Sequence, residues 1–289
     1  MNILVTGSQG QLGSEFQQIS HLFPHWNFIF YDLPELDITD KNSVDNIIKY
    51  KNINVIINCA AYTAVDKAET ETENAFNVNV TGAKLLAEAA KEANALLVHI
   101  STDYVFDGKT HSPWKESDAT RPLNVYGKSK LEGEEIIREI DPSHLIIRTS
   151  WLYSNYGNNF YKTMQLNGRV RDTLYVVSDQ AGTPTYARDL VYVILEILNH
   201  IRMDEHYAET YHFSNEGICS WYDFACAIMD LSQLHCRVIP CETCAYPTPA
   251  ERPAYSVFNK TKIKKHWGIQ IRHWHKSLEE CVNEKIKKE

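Results

Sequence analysis

The first half of the chain alternates short apolar runs with longer amphipathic stretches. The apolar runs are rich in β-branched residues and bounded by polar ones, which predicts strands. They read NILVTG, NFIFYD, NVIINCAAY, ALLVHIST and LIIRTSW. The stretches between them include SVDNIIKYK and TGAKLLAEAAKEA, in which apolar residues lie three and four positions apart, as on one face of a helix. Because the apolar runs are nearly continuous, they indicate strands buried on both faces. The pattern predicts an α/β fold with a Rossmann-type, doubly wound parallel sheet.

The second half has a looser rhythm. Its helical patterns, ARDLVYVILEILNHI and SWYDFACAIMDL, flank a short strand-like YHFS, and the proline-rich run CAYPTPAERPAYS cannot form a regular helix. We expect a dinucleotide-binding domain over residues 1–150, with a return segment near 184–214. A smaller mixed α/β substrate-binding domain is expected over 151–183 and 215–289, with the proline-rich run at the rim of the cleft.

Composition narrows the classes of partner. The 289 residues carry a formal net charge of -8, so they offer neither a basic footprint for nucleic acid nor an electrostatic hold on anionic lipid. No apolar run approaches the roughly 20 residues that span a bilayer, and the opening MNILVTG leaves no room for a leader. We therefore expect a cytoplasmic protein with no membrane and no nucleic-acid partner.

Cysteine usage indicates reduced thiols. The seven cysteines are odd in number and irregularly placed, which does not suit a disulfide framework. Cys241 and Cys244 form a single CxxC, and no second pair completes four zinc ligands. We expect no metal.

The turn after the first predicted strand has the composition of a phosphate-binding loop. In GSQGQLG, Gly7, Gly10 and Gly13 allow a tight turn, a close approach to a pyrophosphate, and close packing of the following helix. The helix N-terminus would then face the phosphates. Glycines that serve only a tight turn between strand and helix are the alternative.

An acidic residue ends the second predicted strand. Asp32 of FIFYD stands where a carboxylate can accept hydrogen bonds from the adenosine ribose and repel a 2′-phosphate, which favours NADH over NADPH. A capping or surface role is the alternative, because Asp37 and Asp40 follow closely.

Three further residues predict carbonyl reduction. Tyr126 and Lys130 of YGKSK are one helical turn apart, and Thr102 ends the fourth predicted strand. A phenol and a hydroxyl can stabilise and protonate the oxygen of a carbonyl that receives a hydride. An adjacent ammonium is expected to draw the pKa of the phenol down from its usual value of roughly 10.

These residues resemble the Ser/Thr and Tyr-x-x-x-Lys site of the extended short-chain dehydrogenase/reductases. The resemblance is closest to the dTDP-4-dehydrorhamnose reductase family and runs from Met1 to the region around Trp274. It rests on STDYVF, PLNVYGKSKLEGE, RTSWLY, GNNF, DQAGTPT and AYPTPAERP. It implies NADH- or NADPH-dependent reduction of the C4 ketone of dTDP-4-dehydro-L-rhamnose to dTDP-L-rhamnose.

The resemblance also implies roles for individual residues. Tyr126 would donate the proton, Lys130 would bind the nicotinamide ribose, and Thr102 with Asp103 would hold the sugar. The other cofactor-binding residues would be those of the glycine loop and of the ends of the second and third strands: Gly7, Gly10, Gln11, Leu12, Gly13, Asp32, Asp37, Ile38, Ala61, Tyr62 and Thr63. Of these, Asp37 and Ile38 would approach the adenine. Trp151 would pack against the substrate, with a core aromatic as the alternative. Arg252 would grip the nucleotide diphosphate, with a pair to a surface carboxylate as the alternative.

One feature of the sequence departs from the family pattern. Some family members are described as dimers that share magnesium through glutamates, and Glu15 fits that pattern. Arg188, however, is a cation where a carboxylate ligand would be wanted, so we expect no shared metal, while a homodimer through another surface stays open.

The alternatives for function are a reductase or epimerase of another nucleotide sugar, or a non-catalytic subunit like the regulatory subunit of methionine adenosyltransferase.

Overall fold

The computed structural model describes residues 1–286 and contains twelve strands and eleven α-helices. The strands are β1 Asn2–Thr6, β2 Asn27–Phe30, β3 Val55–Asn58, β4 Leu96–Thr102, β5 His144–Thr149, β6 Leu152–Tyr153, β7 Thr173–Val177, β8 Ala181–Gly182, β9 Thr185–Tyr186, β10 Ala208–His212, β11 Cys219–Ser220 and β12 Arg237–Cys241. The helices are α1 Gln11–Ile19, α2 Lys41–Tyr50, α3 Val65–Ala68, α4 Thr72–Phe76, α5 Gly82–Glu92, α6 Val125–Ile140, α7 Phe160–Val170, α8 Ala187–His200, α9 Trp221–Leu231, α10 Thr261–Trp267 and α11 Trp274–Ile286.

Six strands form one parallel sheet in the order β10-β5-β4-β3-β1-β2. The chain moves outward from β1 in both directions, so the strand order reverses between β1 and β3. In open α/β sheets such a reversal opens a crevice at the carboxyl ends of the strands, and ligands bind there. The predicted doubly wound α/β fold is confirmed.

Helices cover both faces of this sheet. On one face Leu12 and Phe16 of α1 pack with Leu190 and Ile194 of α8 against the buried side of the strands. On the other face the apolar residues of α2, α5 and α6 form a second cluster, which includes Leu86. Burial on both faces explains why β1, β3, β4 and β5 are apolar almost throughout.

The six strands of the sheet include all five apolar runs in the first half of the sequence. The sixth strand, β10, covers Ala208–His212 and therefore begins before the predicted YHFS. It is an edge strand whose first residue is exposed, so its sequence lacks the continuous apolar run of a central strand.

A separate apolar cluster lies in the second half of the chain. Tyr161 of α7, Phe224 of α9 and Leu278 of α11 are fully buried within it. Ile263 of α10 packs instead into the cluster beneath the main sheet. The proposed domain boundaries stay a prediction. No helix in the described part of the chain is both long and apolar enough to cross a membrane.

Candidate active site

The glycine loop lies at the point where the strand order reverses. Gly7 has a φ of +59°, and a Cβ there would be 2.6 Å from the backbone nitrogen of Ala60, just beyond β3. A Cβ on Gly13 would be 2.4 Å from the carbonyl oxygen of Gly7, so that glycine lets α1 pack against the turn. Gly10 is the N-cap of α1 and has no side chain to cover the helix end. The cradle fits a pyrophosphate, which needs exposed backbone N–H groups at a helix N-terminus.

Gln11 and Leu12 begin α1. Leu12 is buried in the core, so only its backbone is available to a ligand. Gln11 is partly buried and lies under Gly157, whose Cβ would be 2.8 Å from Gln11 Cγ. The loop before α7 therefore approaches the glycine loop closely.

Asp32 is bound to the glycine loop. Its Oδ2 accepts the N–H of Gln9 at 2.8 Å, and its Oδ1 accepts the N–H of Leu33 at 2.9 Å. A cavity of about 630 Å³ opens beside it and is lined in part by Gln17 and Phe30. The carboxylate thus lies at the end of β2, next to the loop, as its predicted role requires.

The two residues expected near the adenine are engaged in the fold. Asp37 Oδ1 accepts the N–H and the hydroxyl of Thr39 at 2.8 and 2.7 Å. Ile38 is buried, and a Cβ on Gly82 would be 2.6 Å from its Cδ1. Both side chains therefore have a structural role, and their contact with an adenine stays a prediction.

The segment after β3 borders the same crevice. Ala61 and Tyr62 are partly buried and Thr63 is exposed. Asn79 holds the Tyr62 backbone on both sides, accepting its N–H at 2.9 Å and donating to its carbonyl at 3.1 Å. The Tyr62 hydroxyl donates to Glu71 at 2.8 Å.

Helix α6 brings Tyr126 to the end of β4. Asn124 caps the helix by accepting the N–H of Gly127 at 2.8 Å. A Cβ on Gly127 would be only 2.2 Å from the carbonyl oxygen of Tyr104, so the glycine lets the first turn approach the segment after β4. The Thr102 and Tyr126 hydroxyls interact as a result. The predicted proximity of these two groups is therefore present.

Burial controls the acidity of the phenol. It raises the pKa of Tyr126 to about 12; the Thr102 hydroxyl counteracts part of the shift and the Asp103 charge adds to it. Our expectation that Lys130 lowers this pKa is wrong. Lys130 Nζ donates instead to the carbonyl of Ile100 at 2.7 Å.

Lys130 is itself buried, which lowers its pKa to about 8, while the charge of Glu134 opposes the shift. Glu134 is the centre of a buried ionic cluster. Its carboxylate accepts bonds from Arg148 at 2.8 and 2.6 Å and from Arg138 at 2.6 Å. Burial alone would raise the pKa of Glu134, but these cations lower it to about 2. The cluster ties α6 to β5 and fixes the turn that carries Lys130.

Asp103 is a buried carboxyl beside these groups. Its Oδ1 accepts the Thr102 hydroxyl at 3.1 Å, whereas Oδ2 has no hydrogen-bond partner among residues 1–286. Burial raises its pKa to about 6, and interactions with Ser256 and Thr102 offset only part of the rise. A carboxylate in this position favours a ligand that donates a hydrogen bond.

The two remaining candidates touch other protein groups. Trp151 is partly buried and stacks on Trp221, with ring centroids 3.7 Å apart. Arg252 donates to both oxygens of Asp66, at 3.0 and 2.8 Å. The structure therefore contains the alternative predicted for Arg252, a pair with a carboxylate, and that carboxylate is Asp66.

Glu15 of α1 and Arg188 of α8 form a buried ion pair. The guanidinium of Arg188 donates to Glu15 at 2.9 Å and also pairs with Glu284. The Ser154 hydroxyl occupies the other Glu15 oxygen at 2.6 Å. The guanidinium of Arg188 therefore supplies the positive charge between Glu15 and Glu284.

Sequence reasoning missed His99, Asn58 and Asp66. His99 and Asn58 are buried and contact each other, with His99 Nδ1 3.1 Å from Asn58 Nδ2. Each is a polar residue in or at the end of an otherwise apolar strand, and that exception was the available signal. Asp66 has no comparable signal, because its partner lies far away in the sequence.

Fold and site together define an NAD(P)-dependent enzyme of the short-chain dehydrogenase/reductase class. The family model described as "RmlD substrate binding domain" matches residues 1–286. A dTDP-4-dehydrorhamnose reductase of Aggregatibacter actinomycetemcomitans is 45% identical over 283 residues, which is 96% of each chain. The chain belongs to this family of dTDP-4-dehydrorhamnose reductases.

Two solved structures support the assignment. A dTDP-4-dehydrorhamnose reductase from Clostridium acetobutylicum is 43% identical, with a TM-score of 0.92 over 99% of this chain and 100% of the other. One from Bacillus anthracis, solved in complex with NADP, is 38% identical, with a TM-score of 0.92 over 98% of this chain and 99% of the other. The predicted family is confirmed.

Proposed function

We propose that this chain reduces the C4 ketone of dTDP-4-dehydro-L-rhamnose to dTDP-L-rhamnose with NADH or NADPH. The observation that carries the proposal is the position of Tyr126. Its hydroxyl meets that of Thr102 at the carboxyl end of β4, on the same sheet edge as the glycine loop. That arrangement can hold a ketone oxygen beside a bound dinucleotide.

The chemistry needs two hydrogens from two sources. When bound, the reduced nicotinamide supplies a hydride to the carbonyl carbon. Tyr126 donates its phenolic proton to the oxygen, and Thr102 orients that oxygen by a hydrogen bond. Lys130 binds the nicotinamide ribose. Gly7, Gly10, Gln11, Leu12 and Gly13 supply the backbone that faces the pyrophosphate.

Asp32 underlies a preference for NADH. Its carboxylate lies at 2.8 Å from the N–H of Gln9 and remains beside the cavity at the end of β2. A ribose diol could donate to it, whereas a 2′-phosphate would place like charges together. Ala61, Tyr62 and Thr63 flank the cofactor on the β3 side.

Three residues bind the substrate in this proposal. Asp103 accepts a sugar hydroxyl through its unpaired Oδ2. Trp151 adopts a left-handed φ of 49°, a strained conformation for a bulky residue that is found most often at functional sites. Arg252 grips the diphosphate after releasing Asp66. All the groups named come from one chain, so the site needs no residue from a second subunit. A homodimer through another surface is compatible with it.

Product analysis tests the function. The protein is incubated with dTDP-4-dehydro-6-deoxyglucose, a 3,5-epimerase and NADH, and the nucleotide sugars are separated. We expect dTDP-L-rhamnose in amounts equal to the NADH consumed. If NADH is consumed and a different deoxysugar is formed, the protein is a reductase of another nucleotide sugar. If sugars are interconverted without net consumption of NADH, the protein is an epimerase. If the protein binds the dinucleotide but neither consumes NADH nor interconverts sugars, a non-catalytic subunit is favoured.

A further inference from the structure

A row of polar side chains crosses the apolar sheet. Thr6 of β1 lies beside Asn58 of β3, and Asn58 lies beside His99 of β4, because the parallel strands have that register. Thr6 Oγ1 donates to Asn58 Oδ1 at 2.7 Å, and Asn58 Nδ2 is 3.1 Å from His99 Nδ1. His99 Nε2 is 3.2 Å from Lys130 Nζ, and all four side chains are buried. The row therefore ends on the amine of the proposed site.

The Asn58 amide fixes the position of the hydrogen on His99. The Asn58 oxygen faces β1, where it accepts the Thr6 hydroxyl at 2.7 Å and the N–H of Ala60 at 3.2 Å; the same N–H also donates to Thr6 Oγ1 at 3.4 Å. The amide NH₂ of Asn58 therefore faces His99 Nδ1, which must accept. Burial holds the pKa of His99 well below its ordinary value, and an Nδ1 that accepts from the Asn58 amide carries no hydrogen, so the ring is neutral. A neutral imidazole that accepts at Nδ1 carries its hydrogen on Nε2.

That hydrogen points at the amine of Lys130. A charged ammonium offers only hydrogens, so it would place N–H against N–H across 3.2 Å. An uncharged amine has a lone pair that can accept the hydrogen. The second bond of the amine, to the carbonyl of Ile100 at 2.7 Å, is a donation that both forms can make.

The surrounding charges do not reverse this preference. Glu134 favours the ammonium, but Arg148 and Arg138 already neutralise its carboxylate. His144, on β5, is the other titratable ring acting on His99, and burial lowers its pKa as well. Thr6 and Asn58 carry no charge.

We propose that His99 is a positioning residue that presents its Nε2–H to Lys130 and thereby favours the uncharged form of that amine. Only the effect of this inference on turnover depends on the proposed function, through the role of Lys130 in it. Its structural content is a statement about two side chains, the tautomer of His99 and the charge of Lys130, and both can be measured without any substrate.

Nuclear magnetic resonance tests that content on the intact protein. The ¹⁵N shifts of the His99 ring, assigned by comparison with His99→Asn, are expected to show a neutral Nε2–H tautomer from pH 6 to pH 9. The ¹³Cε shift of Lys130 is titrated in the same sample. An Nδ1–H tautomer, or an imidazolium in this range, would overturn the inference.

Two variants extend the test. His99→Asn retains an acceptor for Asn58 but deletes the group that faces Lys130, and His99→Gln can turn an amide oxygen towards Lys130. We expect the pKa of Lys130 to rise by about one unit in His99→Gln and by less in His99→Asn. His144→Gln, the same substitution at the buried histidine of β5, is the control and should leave it within about 0.3 units.

An unchanged Lys130 titration in both folded His99 variants would contradict the inference, as would an equal shift in the control. The pH profile of kcat/KM answers a different question. If Lys130 acts in its charged form, the alkaline limb of the profile moves upward with the measured Lys130 pKa. The Lys130 pKa measured by nuclear magnetic resonance can shift while the alkaline limb of the kcat/KM profile stays in place. That result would contradict the proposed role of Lys130 in turnover and would uphold the inference about His99.

Discussion

Arg252 and Asp66 form a two-pronged ion pair that joins the proline-rich rim to the segment after β3. The terminal nitrogens of Arg252 lie 3.0 and 2.8 Å from the two Asp66 oxygens. The pair is open to solvent, with side-chain exposures of 24% and 40%, so it is expected to contribute less than about 1 kcal/mol to stability. A planar guanidinium with its fork already satisfied by a carboxylate could instead exchange that carboxylate for the oxygens of a diphosphate.

This relationship predicts a specific binding defect. Arg252→Lys should raise KM for the dTDP-sugar by about tenfold, because an ammonium cannot bind two oxygens in the fork geometry. The value of kcat should change by less than about threefold, since Arg252 does not touch the reacting atoms.

The Asp66→Asn variant is the matched control, because it removes the competing charge and leaves Arg252 in place. It should lower KM or leave it unchanged. If Arg252→Lys lowered the melting temperature by several degrees with no effect on KM, Arg252 would be a structural strut and its assignment to the diphosphate would be wrong.

Replacing Asp32 should change the choice of dinucleotide. Asp32→Asn retains an acceptor for the N–H of Gln9 but removes the negative charge beside the ribose. We expect the ratio of kcat/KM for NADPH to that for NADH to rise about tenfold, because like-charge repulsion of the 2′-phosphate is lost. Initial rates with both dinucleotides measure the ratio. An unchanged ratio would mean that the Asp32 charge does not face the 2′ position.

Asp103 should make stability depend on pH. Its pKa is about 6 in the folded protein against 3.8 for the free group, so folding takes up a proton between these values. Stability due to protonated Asp103 is present below pH 4 and lost as the pH rises through about 6. The free energy of unfolding of Asp103→Asn, relative to wild type, should therefore increase by up to about 3 kcal/mol between pH 4 and pH 7.

Urea unfolding at the two pH values measures this difference. Asp107→Asn, which changes an aspartate whose side chain accepts the N–H of Lys109, is the control variant. A constant difference between Asp103→Asn and wild type across the pH range would contradict the raised pKa. Turnover in Asp103→Asn should fall even where stability rises, because the substrate loses its carboxylate partner.

The sequence predicted the sheet better than it predicted the contacts between side chains. The apolar runs identify β1, β3 and β4 because parallel strands buried on both faces have few other compositions. The spacing of Tyr126 and Lys130 and the end of β4 at Thr102 likewise place the reactive groups, since each depends on one element and on the edge where parallel strands end.

The rest depended on tertiary geometry. Whether Lys130 acts on Tyr126 or donates to the carbonyl of Ile100 is decided by rotamers and burial, and the expected lowering of the Tyr126 pKa by Lys130 is wrong. The contact between Asn58 and His99 follows from the register of β3 and β4, which a single sequence does not reveal. The partner of Arg252 is set by how the proline-rich rim folds back onto α3, and no periodicity encodes that path.

Tyr126 as the proton donor is the central claim, and a single-turnover experiment tests it most directly. Enzyme loaded with NADH is mixed with the keto-sugar nucleotide, and the loss of nicotinamide absorbance is followed in wild type, Tyr126→Phe and Tyr104→Phe. Tyr104 is the matched control, since its ring lies edge-on to Tyr126 with centroids 5.5 Å apart. We predict that Tyr126→Phe binds NADH normally and slows the transfer by about 10²- to 10⁴-fold, while Tyr104→Phe stays within about fivefold of wild type. Transfer at the wild-type rate in Tyr126→Phe would contradict the account.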